Sequence, residues 1–209
     1  MRRNEIAASV ALALRDKITL ACAPIGCAAF LALYLIAAFE DPDYELFENY
    51  LSDLGVGPGA WAFNSGVVLS GSLLAAFAVG GFSSYLGANN IMKVGAALLA
   101  FSGMLLAGVG IFTEDAGDAH LLVSYAFFVA AFTSFGLFTA ARFLAKRSLM
   151  DVFLLVNACS FAIGLTVVTL FGPDPMAETI AVFSLLAWGV IITVLAIIEQ
   201  GRAVFRPTA

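Results

Sequence analysis

Three short segments hold most of the residues in this chain that could do chemistry. They are Tyr50-Leu-Ser-Asp-Leu-Gly-Val-Gly-Pro-Gly-Ala-Trp-Ala-Phe-Asn64, Thr113-Glu-Asp-Ala-Gly-Asp-Ala-His120 and Gly172-Pro-Asp-Pro-Met-Ala-Glu178. Asp53, Asp115, His120 and Glu178 together supply carboxylate oxygens and one imidazole, the ligand types of a divalent metal site. No cofactor motif is evident, so a divalent metal ion is the one cofactor these residue types suggest. The same residues suit a second chemistry. Asp53, His120 and Glu178 could be a general acid/base group in which a carboxyl is kept protonated by its surroundings. A third reading, a hydrogen-bonded latch that ties three loops together, needs the least special geometry. With Asn64, these residues form the candidate binding set Asp53, Asn64, Asp115, His120 and Glu178.

Each residue also has a plain structural role open to it. Asp118 and Asp174 are placed as N-caps, with Pro175 at the favoured first helical position. Glu114 is expected to be a solvated loop acid. Asp53 suits an Asx-type turn among Gly55, Gly57 and Gly59, which are expected to allow positive φ angles around Pro58. His120, the single histidine, is expected to hydrogen-bond structurally; Ser124 shares its helix face and Tyr125 is nearby. Glu178 follows Asp174 by four residues, which is not the spacing of a capping box. One turn into an apolar helix, it is costly without a partner. Asn64 has the same need for partners, one turn into its own helix.

The elements that position these residues follow from composition. Of 209 residues, 62% are hydrophobic and 12% charged, and the mean hydropathy is +0.99, against about 25% charged residues in a typical soluble domain. A bilayer crossing takes about 20 apolar residues. The apolar runs predict a single all-α domain, an integral membrane bundle of six transmembrane helices: 17–39, 60–86, 91–112, 119–141, 150–171 and 177–198. The basic N-terminus and the run that follows read as a retained first helix rather than a cleaved signal, because the run exceeds about 7–15 residues. Residues 1–16 read as an interfacial lead-in. The spacing of Tyr44, Leu46, Phe47, Tyr50 and Leu51 predicts a short amphipathic helix on the membrane surface within the first loop. Glycines and serines in the second and third helices predict close helix packing.

Charge orders these helices. With six crossings, all ten Lys and Arg residues fall on the side of the two termini, while eleven of the fifteen acids fall on the other. Basic residues mark the cytoplasmic side. The expected location is therefore the cell membrane, multi-pass, with both termini cytoplasmic and the acidic loops outside. Asp151, just after Lys146-Arg147, is expected to cap its helix with local ion pairing. Cys22, Cys27 and Cys159 lie in apolar runs and read as free thiols.

Several functions are disfavoured. Nothing in the chain matches a phosphate-binding loop, a dinucleotide fingerprint, a nucleophile elbow or a His-Glu-x-x-His motif. An acidic face disfavours nucleic acid. Mid-helix polar residues (Thr133, Ser134, Asn157, Ser160, Thr166) are neutral, and no ionisable residue sits at the bilayer centre, so small-solute transport is only a third reading.

Ser52-Asp-Leu-Gly followed by Phe63-Asn, Gly110-Ile-Phe-Thr-Glu-Asp with His120, and Pro175-Met-Ala-Glu178 resemble the prokaryotic membrane family called domain of unknown function 998. The resemblance runs from the first helix to the sixth. The Ser-Asp-x-Gly and Phe-Asn pattern is more distantly similar to Frag/DRAM/Sfk membrane proteins. It implies a six-helix membrane fold with an outer polar cluster, and no established activity. The several histidines of alkaline-ceramidase-type zinc hydrolases are not matched. The expected function is thus a non-transporting membrane protein whose outer cluster binds a lipid headgroup, a metal ion or a membrane-protein partner. A lipid-directed hydrolase using Asp53, His120 and Glu178 is the alternative.

Overall fold

The computed structural model describes residues 2–87, 89–145, 151–171 and 174–204. Helices α1 (Arg2–Glu40), α2 (Ala60–Val79), α3 (Gly81–Leu86), α4 (Asn90–Ile111), α5 (Asp118–Leu144), α6 (Val152–Thr166) and α7 (Pro175–Val204) follow one another, with no strand among the described residues. Five spans are long and apolar enough to cross a membrane: Leu14–Glu40, Ala60–Leu86, Asn90–Ile111, Asp118–Leu144 and Pro175–Glu199. The expected fifth crossing differs in form. Its α-helix stops at Thr166, and the chain continues as a π-helical turn, Val167–Phe171. The second span also breaks. At Gly80 the helix yields to α3, and the freed Gly81 N–H donates to the Thr19 hydroxyl at 2.6 Å.

Two further expectations are corrected. The lead-in is not separate, since residues from Arg2 continue helically into the first span. The first loop carries no surface helix. Its one helical turn is the short 3₁₀ segment Leu51–Gly55, with Leu51 and Leu54 buried beside Phe30, Phe63 and Val67. Leu46 and Phe47 stay exposed, so the loop's apolar residues divide between solvent and bundle and never form one stripe. The side chains of Lys146, Arg147 and Arg206, and the Gly172-Pro173 start of the third acidic segment, lie outside the described residues.

Close packing holds α2 to α4. A Cβ on Gly71 would lie 2.6 Å from the Gly103 carbonyl oxygen, and one on Gly103 would lie 2.7 Å from the Gly71 carbonyl oxygen. The two backbones meet because neither residue has a side chain, as small residues permit in membrane bundles. Elsewhere the core is aromatic. Trp188 stacks on Phe135 at 4.4 Å between ring centroids, and Phe82 stacks on Phe77 at 4.6 Å. Beside these rings the fully buried Asn157 accepts from Trp188 Nε1 at 3.1 Å and donates to the Phe153 carbonyl at 2.8 Å. That pairing explains a mid-span amide: its polar atoms have partners where water has none.

Helix ends are capped by side chains at several places. Asn89 accepts from the N–H groups of Ile91 and Met92. Asp151 caps α6 through Leu154 N–H, and its ion pair is with Arg142, at 3.8 Å. Asp174 caps α7 through Met176 N–H at 2.9 Å and Ala177 N–H at 3.3 Å, with Pro175 first in the helix. Asp118 is not a cap. Gly117, at φ 58°, takes that position, and Asp118 becomes the first helical residue. The left-handed conformation there favours glycine.

Candidate functional site

The three acidic segments meet at one end of the bundle. The 3₁₀ segment Leu51–Gly55 touches both α7 and the second short 3₁₀ segment, Glu114–Ala116. Its backbone is fixed from two sides. Glu178 Oε2 accepts from Leu51 N–H at 2.7 Å, and the Ser52 amide and hydroxyl face the same carboxylate. Asn64 Nδ2 donates to the Gly55 carbonyl at 2.8 Å. Glu178 therefore has the partner its position requires. Without it, a desolvated carboxylate one turn into an apolar helix would be strongly unfavourable.

The Ser-Asp-x-Gly…Phe-Asn pattern now has a physical account. Asp53 Oδ2 accepts from Tyr50 N–H at 2.9 Å and closes the turn from within. Asn64 is a clamp on that turn. The glycines are there for space, not for positive φ, since the described positive-φ glycines are Gly87 and Gly117. A Cβ on Gly59 would lie 2.5 Å from Ala37 Cα, and one on Gly55 would lie 2.8 Å from Asn64 Oδ1.

His120 is buried at 6% exposure. Its Nδ1 lies 2.8 Å from the Phe112 carbonyl oxygen, and Ser124 Oγ lies 3.4 Å from Nε2. A carbonyl only accepts, so the proton sits on Nδ1 and the ring ties the end of α4 to the first turn of α5. Asp115 goes another way. It is exposed and takes a hydrogen bond from the Thr113 hydroxyl. Among the described residues no three His, Cys, Asp or Glu side chains are grouped to hold a metal ion. The proposed ligand set Asp53, Asp115, His120 and Glu178 is thus not assembled here.

Glu114 is the residue whose part the sequence hid. It is partly buried, and its carboxyl hydrogen-bonds the Asp53 carboxylate. Burial, then the hydrogen bond and charge of Asp53, then the charge of Glu178 push its pKa from 4.5 up to about 7. Two close carboxylates cannot both ionise freely, so the pair favours sharing a proton. A solvated loop acid would show none of this. The signal was present only in the Gly-Ile-Phe-Thr-Glu-Asp string, where Glu114 lies two residues beyond the Phe112 that anchors His120.

Beneath these groups lies a cavity of about 390 Å³. At its polar end stand Tyr50, Ser52, Glu114, His120, Ser124 and Glu178, with Asp174 and Tyr125. Deeper, Phe128, Phe132, Val167 and Ala181 make it apolar, while Val129 stands at an exposed edge. A second space of about 100 Å³ shares Ser52, Ser124, Phe128 and Glu178 with it. Asp53, Asn64 and Asp115 do not line the larger cavity. The first two shape its wall.

A bundle of apolar helices, five of them long enough to span, with a polar-mouthed cavity at one end, is a multi-pass membrane protein. Residues 24–196 match the family model described as protein of unknown function (DUF998), and the chain belongs to that family. No curated protein and no solved structure matches it.

Proposed function

We propose that the cavity binds a membrane amphiphile, its head among Glu114, Asp174, Glu178 and the tyrosines and its chain along α5 and α7. The observation that carries this is the lining, which changes from carboxyl, hydroxyl and imidazole groups to aromatic and aliphatic ones within one space of about 390 Å³. That gradient matches a molecule with one wet and one oily end. The lining includes three acids and no Lys or Arg. A head bearing an amine or hydroxyl groups is therefore favoured, and a bare phosphate or sulfate is repelled. Tyr50 and Tyr125 add ring faces suited to an ammonium group. The acidic end faces away from the cytoplasm in this proposal, because six crossings of the sequence would put all ten basic residues on the side of the termini.

The test uses purified protein in nanodiscs with a spin-labelled single-chain alkylamine and an alkylsulfate of equal length. The alkylamine should give an immobilised component in the spectrum, displaced by unlabelled amine, and the alkylsulfate should not. Val129→Trp, at the exposed rim, should reduce the immobilised fraction about tenfold, the effect of roughly 1.4 kcal/mol. Equal immobilisation of both probes, or no response to Val129→Trp, overturns the reading. The side is checked separately. Val56→Cys should react with an impermeant maleimide on intact cells, and protection there would place the cavity on the cytoplasmic face.

A further inference from the structure

We propose that Ser124 and His120 form a nucleophile–base pair that transfers an acyl group from an ester-linked lipid lying in the cavity. The proposal rests on the amphiphile reading of that cavity and adds a reaction to it. Four residues apart on α5, the two side chains share a helix face. Both line the 390 Å³ space.

The polarity of the pair is what a base requires. The Phe112 carbonyl, 2.8 Å from Nδ1, accepts a hydrogen bond from Nδ1–H and so leaves the Nε2 lone pair facing Ser124 Oγ. Nucleophile, base and a third group that orients the base is the arrangement by which serine is activated. At 3.4 Å the contact is longer than the 2.6–3.2 Å of a working pair, as is common in empty sites. Ser124 also differs from several hydroxyls of this bundle in having an imidazole as its polar neighbour. Ser70, Ser72, Thr139 and Thr193 each donate to the carbonyl four residues back, the ordinary use of a hydroxyl within a helix. Ser124 faces an imidazole.

The chemistry balances with water as the second reactant. Ser124 Oγ bonds to the ester's acyl carbon while its proton passes to His120 Nε2. The tetrahedral intermediate then breaks the bond between acyl carbon and alkoxy oxygen, and the imidazolium gives its proton to that departing oxygen. Water attacks the acyl-serine by the same route in reverse, releasing a carboxylic acid and restoring the hydroxyl.

A long-chain alkyl fluorophosphonate tests this in nanodiscs, read by intact mass and peptide mapping. The expected result is one adduct, at Ser124, formed on folded protein and not on protein unfolded in SDS. The rate should fall about 100-fold in His120→Gln, the size of a lost general base. No adduct, an adduct elsewhere, or equal labelling of folded and unfolded protein overturns the pair. Ser124→Ala should lose the adduct. If the wild type binds the amine but gives no adduct, the reaction fails and the binding reading stands. If it does neither, both fail.

Discussion

Around Trp188 the helices are filled in by rings, whereas around Glu178 they are tied to a loop by hydrogen bonds and leave room between them. Phe77, Phe82, Phe135, Phe138 and Phe153 are all fully buried in one cluster with Trp188, and the Asn157 amide beside that indole is satisfied on both sides. At the acidic end the same α5 and α7 line a cavity of about 390 Å³. Carboxylates and amides there bind backbone groups of the short 3₁₀ segment rather than other helices. Rigid packing at one level and a polar-mouthed opening at another is what a site on a membrane scaffold needs. The packed part fixes the helices, and the open part can accept a molecule without repacking the core.

The largest test of that contrast falls on the packed side. Trp188→Ala removes a ring system at 2% exposure and leaves Asn157 Oδ1 without its donor. Truncating a buried aromatic costs about 3–5 kcal/mol. Thermal unfolding in detergent should therefore show a large loss of stability, with the midpoint lowered well beyond that of any change at the acidic end. A midpoint shift no greater than that of the Glu178 variants would mean the aromatic layer is not the scaffold.

Glu178 comes next. Glu178→Ala leaves the Leu51 N–H without its acceptor, at a cost of about 1–3 kcal/mol. Glu178→Gln keeps an acceptor oxygen and loses only the charge, so it should destabilise less. Hydrogen exchange at the Leu51 amide separates the two. It should accelerate strongly in the alanine variant and little in the glutamine one. Comparable acceleration in both would mean the charge rather than the acceptor holds the loop.

How far the sequence revealed each region follows from the physics that made it. The helices were legible because bilayer length and hydropathy dictate them, and α4, α5 and α7 begin and end close to where apolar runs do. Breaks were not. The turn at Gly80 depends on Thr19 from another helix, and the π-helical stretch after Thr166 follows from no local signal that we find. At the site, the need of Glu178 for a partner was readable, because a carboxylate there has no solvent. That the partner would be Leu51 N–H was not, since it lies 127 residues away in sequence. The expected surface helix failed for a related reason. Of the spaced residues only Leu51 enters the 3₁₀ segment; Tyr44, Leu46, Phe47 and Tyr50 lie in the turns before it, with Leu46 and Phe47 exposed. His120 was correctly expected to hydrogen-bond, yet its partner carbonyl, Phe112, carries no side-chain signature at all. Glu114 was misjudged because its neighbours in sequence are polar, while its neighbour in space is Asp53.

The smallest expected effect concerns that last pair and depends on sign. Glu114 binds its proton more tightly when folded, at about 7, than at its ordinary value of 4.5. Its contribution to stability is thus fully present below pH 4.5, declines as pH rises toward 7 and is lost above. Because the side chain is only partly buried, solvent screens the interaction and the change is modest. Glu114→Gln cannot titrate. Its unfolding midpoint should vary less than the wild type's between pH 4.5 and 7, and the two curves should converge in slope above that window. Asp53→Asn should flatten the same window, since it removes the second largest cause of the shift together with its charge. Identical pH profiles for wild type and Glu114→Gln would show that no proton is shared between these carboxyls. The acidic end would then be a hydrogen-bonded tie to the loop, without a proton-holding group at the mouth of its cavity.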